Sequence, residues 1–384
     1  MRLRESGVTE TAVIIVGAGA SGLSSAGALQ QRGIGAVVLE QDERLGSTWA
    51  GRYDRLHLHT VRGFSGLAHY PIPSSYSPYL SRDEFVAYLN DYADHFSLHI
   101  KTECLVQKIR MQAGNPPLWT VATTAGDLHC RVVVIATGQY RIPILPHWPG
   151  RESYRGDLVH SSRYRSASPY RGKRVLVVGL GNSGAEIVTD LIEEGASYVA
   201  LSIRTPPSIV PRDPFGLSVQ RTGILLSFLP TAIADRLGQL TSRLVLGDLT
   251  RYGLQPAGWS PYAARRVPVI DVGFVNILKQ GLVQIRPALT SLSVDEVDFK
   301  DGRAESFDAI IAATGFDTGL NELIETSDIL NDSHEPIAPS GQPTARPGIF
   351  FMGYTHSLRG HLFEANLASR KLARNVDRYL DERS

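Results

Sequence analysis

Short continuous apolar runs alternate along this chain with longer stretches that repeat at helical spacing. The runs TAVIIV, AVVLE, RVVVIATG, RVLVVG, YVALSIR and DAIIAATG lack a polar-facing alternation, so they read as strands buried on both faces of a parallel sheet. LVQKIRM and LWTVATT read as two further strands leading into RVVVIATG. SRDEFVAYLNDYADHF predicts an amphipathic helix whose core face carries Phe85, Tyr88, Leu89 and Tyr92. Two of the apolar runs end in a glycine-rich turn that opens a helical pattern. VIIVGAGASG sets Gly17, Gly19 and Gly22 in GxGxxG register, and VLVVGLGNSG sets Gly179, Gly181 and Gly184 in the same register.

A strand, a tight glycine turn and a helix N-terminus form the anion site that a dinucleotide pyrophosphate needs. Two of them in one chain predict an α/β protein with two Rossmann-like dinucleotide-binding domains and electron transfer between two cofactors. Ser21 lies inside the first turn; Asn182 and Ser183 lie inside the second and are expected to supply donors there. The strand after the first turn ends at Glu40, a carboxylate suited to ribose hydroxyls and repulsive to a 2′-phosphate, which suits FAD or NAD. The matching strand after the second turn ends at Arg204, whose guanidinium can grip a 2′-phosphate and so points to NADPH.

Each unit is followed by an ATG: Ala136, Thr137 and Gly138, then Ala313, Thr314 and Gly315. Small residues there let a flavin or a crossing chain approach closely. We read the two as bracketing an insertion. Residues 10–148 and 289–384 then form the FAD-binding domain, and 149–288 the NADPH-binding domain. The proline-rich IPILPHWPG reads as the linker between them. GILLSFLPTAIADRLGQLTSRLVLG, broken by Pro230, suits a cover for a substrate channel or a homodimer face. A membrane contact ranks last for it, because Asp235, Arg236 and Arg243 make its helices ordinarily amphipathic.

Composition narrows the class without choosing a substrate. The chain has 384 residues, 43% hydrophobic and 20% charged, with a formal net charge of +1, which gives no electrostatic case for nucleic acid. No apolar run approaches the ~20 residues of a membrane span. The two cysteines, Cys104 and Cys130, form no CxxC pair, so neither a metal site nor a redox disulfide is expected, and a cytoplasmic location is.

Between the glycine turns, YRGDLVHSSRY places Tyr154, Gly156, His160 and Tyr164 in the spacing FxGxxxHxxxY/F, with Tyr for the first Phe. On this motif and both turns the chain resembles the flavin-containing monooxygenases over nearly its whole length. Trp49 followed by YDRLHLHT, LVLGDLTRYGL with VPVIDVG, and GIFFMGY are similar to the plant YUCCA branch, which converts indole-3-pyruvate to indole-3-acetate. The resemblance implies NADPH, FAD and O2, a C4a-(hydro)peroxyflavin as oxidant, a small organic substrate, and no catalytic side-chain nucleophile. It also implies that Trp49, Arg55 and His59 border the flavin. Thr137, Gly138, Thr314, Gly315 and Asp317 are expected at FAD or at the domain junction, and His160 and Tyr164 are expected to organise the linker. The family's GGxW loop is here Gly46, Ser47, Thr48 and Trp49, and the asparagine of amine-oxidising members has no counterpart in LHTVRGFSGL. The first departure leaves the loop altered; the second favours a carbonyl or 2-oxo acid substrate over N- or S-oxygenation, and Baeyer–Villiger relatives usually carry Trp where this chain has Tyr164. An oxygen-independent NADPH–flavin reductase with a protein partner is the alternative of another class.

Overall fold

The computed structural model describes residues 10–114, 117–264, 266–325 and 327–382. Strand β1 (Glu10–Val16), helix α1 (Ala20–Gln30) and β2 (Ala36–Leu39) form the first strand–helix–strand unit. A one-turn helix α2 (Ser47–Ala50) and the helix α3 (Arg82–His95) precede β3 (His99–Lys101), β4 (Val106–Gln112), β5 (Leu118–Thr123) and β6 (Gly126–Ile135). These strands lie in the order β3-β2-β1-β6-β5-β4. β1 shows why its sequence is apolar throughout: Val13 and Ile15 enter the core on one face, Ile14 and Val16 the core on the other. α3 forms as its pattern predicts. Ser81 and Glu84 close a reciprocal capping box, and Phe85, Tyr88, Leu89 and Tyr92 are fully buried.

The second sheet is built the same way. β7 (Ile142–Pro143) and β8 (Asp157–His160) lead to β9 (Arg174–Val178), α4 (Asn182–Glu193) and β10 (Tyr198–Ser202). β11 (Ile209–Pro211), α5 (Val219–Leu226), α6 (Thr231–Leu246), α7 (Pro261–Ala264) and β12 (Val269–Asp271) form an excursion from it. The chain returns through α8 (Phe274–Lys279) and β13 (Val283–Arg286), then through a three-stranded patch, β14 (Leu289–Leu292), β15 (Val297–Phe299) and β16 (Ala304–Glu305), to β17 (Ala309–Ala312). The order is β13-β10-β9-β17-β8, parallel throughout.

The boundary after the second unit differs from the expected one at residue 289. β14 to β17 stay with the second sheet, and β17 lies between β8 and β9. The reason is local: each glycine turn needs its own ATG strand beside it. A Cβ on Gly17 would stand 2.7 Å from the Ala136 carbonyl oxygen, and one on Gly179 would stand 2.5 Å from that of Ala313. The ATG is therefore part of the repeat and not a bracket around it. Only after Gly315 does the chain leave, through β18 (Phe316–Asp317) and α9 (Leu320–Leu323). It then adds β19 (Ile349–Phe351) to β6 and α10 (His361–Asp381) to the first core. IPILPHWPG is likewise not a free linker, since β7 pairs antiparallel with β18 and Trp148 is buried in the second unit. Among the described residues no helix is long and apolar enough to cross a membrane.

Candidate functional site: two glycine turns and the cavity beside them

The two turns share one backbone conformation. Gly17 and Gly179 both have φ +102°, a value that strains any residue with a side chain. A Cβ on Gly22 would lie 1.9 Å from the Gly17 carbonyl oxygen, and one on Gly184 would lie 2.1 Å from that of Gly179, so both third glycines let helix and strand close together. Gly19 and Gly181, the N-caps of α1 and α4, face open space with no side-chain cap on the helix N–H groups. Each turn is thus a cradle that a pyrophosphate fits and that a side chain would fill. Ser21 is buried at the first turn, where a Cβ on Gly353 would strike its hydroxyl.

The strand ends differ. Gly17 N–H donates to Leu39 and Gly179 N–H to Ser202, so Glu40 corresponds to Ile203, and Arg204 stands one residue further on. Glu40 accepts from the Ala18 N–H at 2.9 Å and the Asp42 N–H at 3.1 Å, which aims its carboxylate at the turn. Arg204 is exposed at the matching edge.

The ATG loops are held by different partners. The Thr137 hydroxyl bonds the Tyr354 hydroxyl at 2.8 Å, and Gly138 has φ +84° with open space where a Cβ would be. Burial pushes the Tyr354 phenol up to about 12. In the second loop Thr314 donates to the Ile144 carbonyl, and Gly315 (φ +89°) is held by His160 Nε2 at 3.0 Å through its carbonyl. His160 Nδ1 accepts from the Ser162 N–H at 3.1 Å, so Nε2 carries the proton and donates. Burial, first among the causes, keeps this imidazole below its ordinary pKa. Asp317 caps the next turn by accepting from the Gly319 N–H at 2.7 Å. Tyr164 donates to Asp190 of α4 at 2.5 Å, and Gly156 packs under the Tyr154 ring.

Three expected positions carry other contacts. Arg55 reaches Glu193 at 2.7 Å and Asp190 at 3.4 Å, and His59 bonds Glu186 at 2.7 Å. Both side chains thereby join the first unit to α4, because the segment after Trp49 crosses to the second unit. Asn182 spends its side chain on the excursion, donating to the Pro268 carbonyl at 3.2 Å and accepting from the Ile270 N–H at 2.7 Å. Trp49 is half-buried, with its ring 4.7 Å from Phe85 in an edge contact.

Beside the second turn and the residues after the first ATG lies a cavity of about 930 Å3 that His59, Gln139, Tyr140, Asn182 and His361 border from the two units. Its far wall is the excursion. α6 turns Asp235, Gln239 and Ser242 toward the cavity and leaves Ile233, Leu237, Leu240 and Leu244 exposed. The excursion therefore borders the cavity on one side and presents an exposed apolar face on the other. Sequence reasoning missed Gln139. Its Nε2 donates to the Gly353 carbonyl at 2.9 Å, while its Oε1 is buried with no partner among the described residues, an acceptor that a cofactor donor would satisfy. Its place directly after the first ATG was the available signal.

A family model, Pyridine nucleotide-disulphide oxidoreductase, matches residues 14–214. The chain is 36% identical to "Indole-3-pyruvate monooxygenase YUCCA1" of Oryza sativa subsp. japonica, over 89% of this chain and 86% of that protein. Two solved structures share the fold. One is the flavin-containing monooxygenase from Stenotrophomonas maltophilia, with TM-score 0.74, 24% identity, and 97% of this chain and 100% of that one covered. The other is an oxidised steroid monooxygenase bound to NADP, with TM-score 0.76, 19% identity and coverage of 98% and 87%. With two dinucleotide cradles whose strand ends carry opposite charge, the chain belongs to the flavin-containing monooxygenase family, and it is an NADPH-dependent flavoprotein monooxygenase that uses FAD, NADP(H), O2 and an organic substrate.

Proposed function

We propose that the organic substrate is a 2-oxo acid such as indole-3-pyruvate, oxidatively decarboxylated to the acid one carbon shorter. The observation that carries this reading is the 36% identity, over most of both chains, to a relative with that activity. The cavity supports it. Trp259, Tyr262, Leu226, Leu246 and Leu254 offer apolar surface for an aryl group, and Arg243 offers a cation for a carboxylate. The balance is 2-oxo acid + NADPH + H+ + O2 giving carboxylic acid + CO2 + NADP+ + H2O.

When bound, FAD and NADPH supply the redox and oxygen chemistry that no side chain can. The protein's part is to bind, orient and exclude water. In this reading Gly17, Gly19, Gly22 and Glu40 hold FAD, with Thr137, Gly138 and Gln139 along it. Gly179, Gly181, Ser183, Gly184 and Arg204 hold NADPH. His160, donating to Gly315, keeps the second ATG loop against Gly179. Residues 10–148 and the chain after Gly315 serve FAD, and 149–315 serve NADPH. α5 and α6 shield the cavity from water.

The test is turnover of purified holoenzyme with indole-3-pyruvate, NADPH and O2. Equal amounts of indole-3-acetate, CO2 and NADP+ are expected, with Arg243→Met raising KM for the keto acid about tenfold through loss of one charge-assisted contact. An N-oxide, sulfoxide or ester from other substrates, with no acid from the keto acid, would refute the reading.

A further inference from the structure

Arg52 stands on the segment that the first unit sends across the second. The next residue, Tyr53, is buried against α4, where its hydroxyl faces Glu186 and Ser183, the latter a residue of the second glycine turn. The Arg52 guanidinium lies 4.8 Å over the centre of the Phe316 ring. That ring also takes the edges of His160 at 4.9 Å and Tyr140 at 5.8 Å. Phe316 directly follows the loop Ala313–Gly315, which covers Gly179, and Tyr140 borders the cavity. The cation thus sits where the crossing segment meets the end of the second ATG loop, on a ring that Tyr140 of the cavity wall also touches.

It lacks a counter-ion there. Arg52 is half-buried, and burial lowers its pKa. Among the described residues no carboxylate pairs with its guanidinium, and the charged groups held against its backbone are other cations: Arg82 donates to the Arg52 carbonyl at 2.9 Å and Arg165 at 3.3 Å. Other arginines of this region are paired: Arg55 with Asp190 and Glu193, Arg82 with Asp54 and Asp83. A partly desolvated cation is costly without an anion, and an aromatic face offsets only part of the loss.

We propose that Arg52 is the first unit's contribution to the nicotinamide dinucleotide site, where it binds the pyrophosphate carried on the second glycine turn. A guanidinium matches phosphate oxygens in charge and in its forked donors. This rests on the NADPH assignment and is independent of the keto-acid reading. It also divides the work between two arginines: Arg204 meets the 2′-phosphate found only in NADPH, and Arg52 meets phosphates common to NADPH and NADH.

The experiment is titration of oxidised holoenzyme with NADP+ and, separately, with NAD+, in the absence of substrate, following the flavin spectrum. Wild type, Arg52→Met and Arg52→Lys are compared at low and high salt. Arg52→Met is expected to weaken both nucleotides by a common factor of about ten to one hundred, with FAD content unchanged. Its Kd should also depend less on salt than that of the wild type. Arg52→Lys should recover part of the affinity, and this variant keeps the test in hand if Arg52→Met does not fold. Unchanged Kd values overturn the proposal. So does loss of FAD with nucleotide affinity intact in the remaining holoenzyme, which would make the flavin phosphates the partner. A rise in keto-acid KM alone, with both Kd values held, overturns it in favour of the substrate carboxylate. Failure of wild-type holoenzyme to bind NADP+ would instead sink the cofactor assignment beneath it.

Discussion

The two glycine turns are nearly superimposable in conformation and opposite in charge at the strand that follows. Both open at φ +102°, both press against an alanine carbonyl, and both need a third glycine for helix and strand to meet. Yet one strand edge presents Glu40, tied to its turn by the Ala18 N–H, and the other presents Ile203 and an exposed Arg204. Backbone geometry thus makes a generic pyrophosphate cradle, and one or two side chains at a strand end choose the nucleotide.

The strongest way to break this comparison is to fill the cradles one at a time. Gly22→Ala places a methyl 1.9 Å from a backbone oxygen that cannot move aside. It should cost about 3 kcal/mol and yield protein without flavin absorbance. Gly184→Ala carries the same clash at 2.1 Å, but should retain FAD while losing NADP+ binding. If both variants lose the same cofactor, the division of labour is wrong.

Charge at the strand end comes next. Arg204→Ser should lower the kcat/KM preference for NADPH over NADH by about ten- to hundredfold, the worth of one charge-assisted contact, without changing FAD content. Adding Ile203→Glu, the position that corresponds to Glu40, should turn the enzyme toward NADH. An unchanged preference in steady-state kinetics would show that the 2′-phosphate is read elsewhere.

A smaller effect concerns how the units are joined. Glu186 is 4% exposed and bonds His59. Glu186→Ala leaves His59 without that partner and should cost about 1–3 kcal/mol. Chemical denaturation reads this loss. Flavin reduction by NADPH should slow while reduction by dithionite does not, since only the former depends on how the units sit.

The smallest effect separates the two ATG loops by pH. Tyr354, bonded to the first, is pushed to about 12 and does not titrate in the neutral range. His160, bonded to the second, is held below its ordinary pKa by burial. Protonation therefore favours the unfolded chain. Its contribution is full above the unfolded value of about 6.5 and is lost as pH falls below that. The Tm of the wild type should drop more between about pH 7 and pH 5 than that of His160→Gln, and equal drops would remove His160 from the account.

Most of this architecture was legible because glycine spacing and two-sided burial leave marks that need no tertiary knowledge. Gly17, Gly179 and the face of α3 are examples. The boundary at 289 was misplaced because a strand such as β17, apolar on both faces, does not say which sheet it joins. The close approach of Ala313 to Gly179 supplies that answer. Arg55, His59 and Asn182 looked free because their partners, on α4 and β12, lie far along the chain. Gln139 was invisible because an unpaired buried oxygen is a property of packing and not of residue type.

The pairing of β19 with β6 and the packing of α10 on α1, where Ser24 and Ser369 meet at 2.6 Å, bear on how the protein is made. The second sheet has all five of its strands once Ala312 has emerged. The first core still lacks Phe350, Met352, Leu362, Leu372 and Val376 at that stage. Although its chain begins first, the unit of the first glycine turn is the later of the two to close during vectorial synthesis. A ribosome stalled before Ile349 would therefore hold a nucleotide fold that can already be complete beside a first cradle with one wall still unmade.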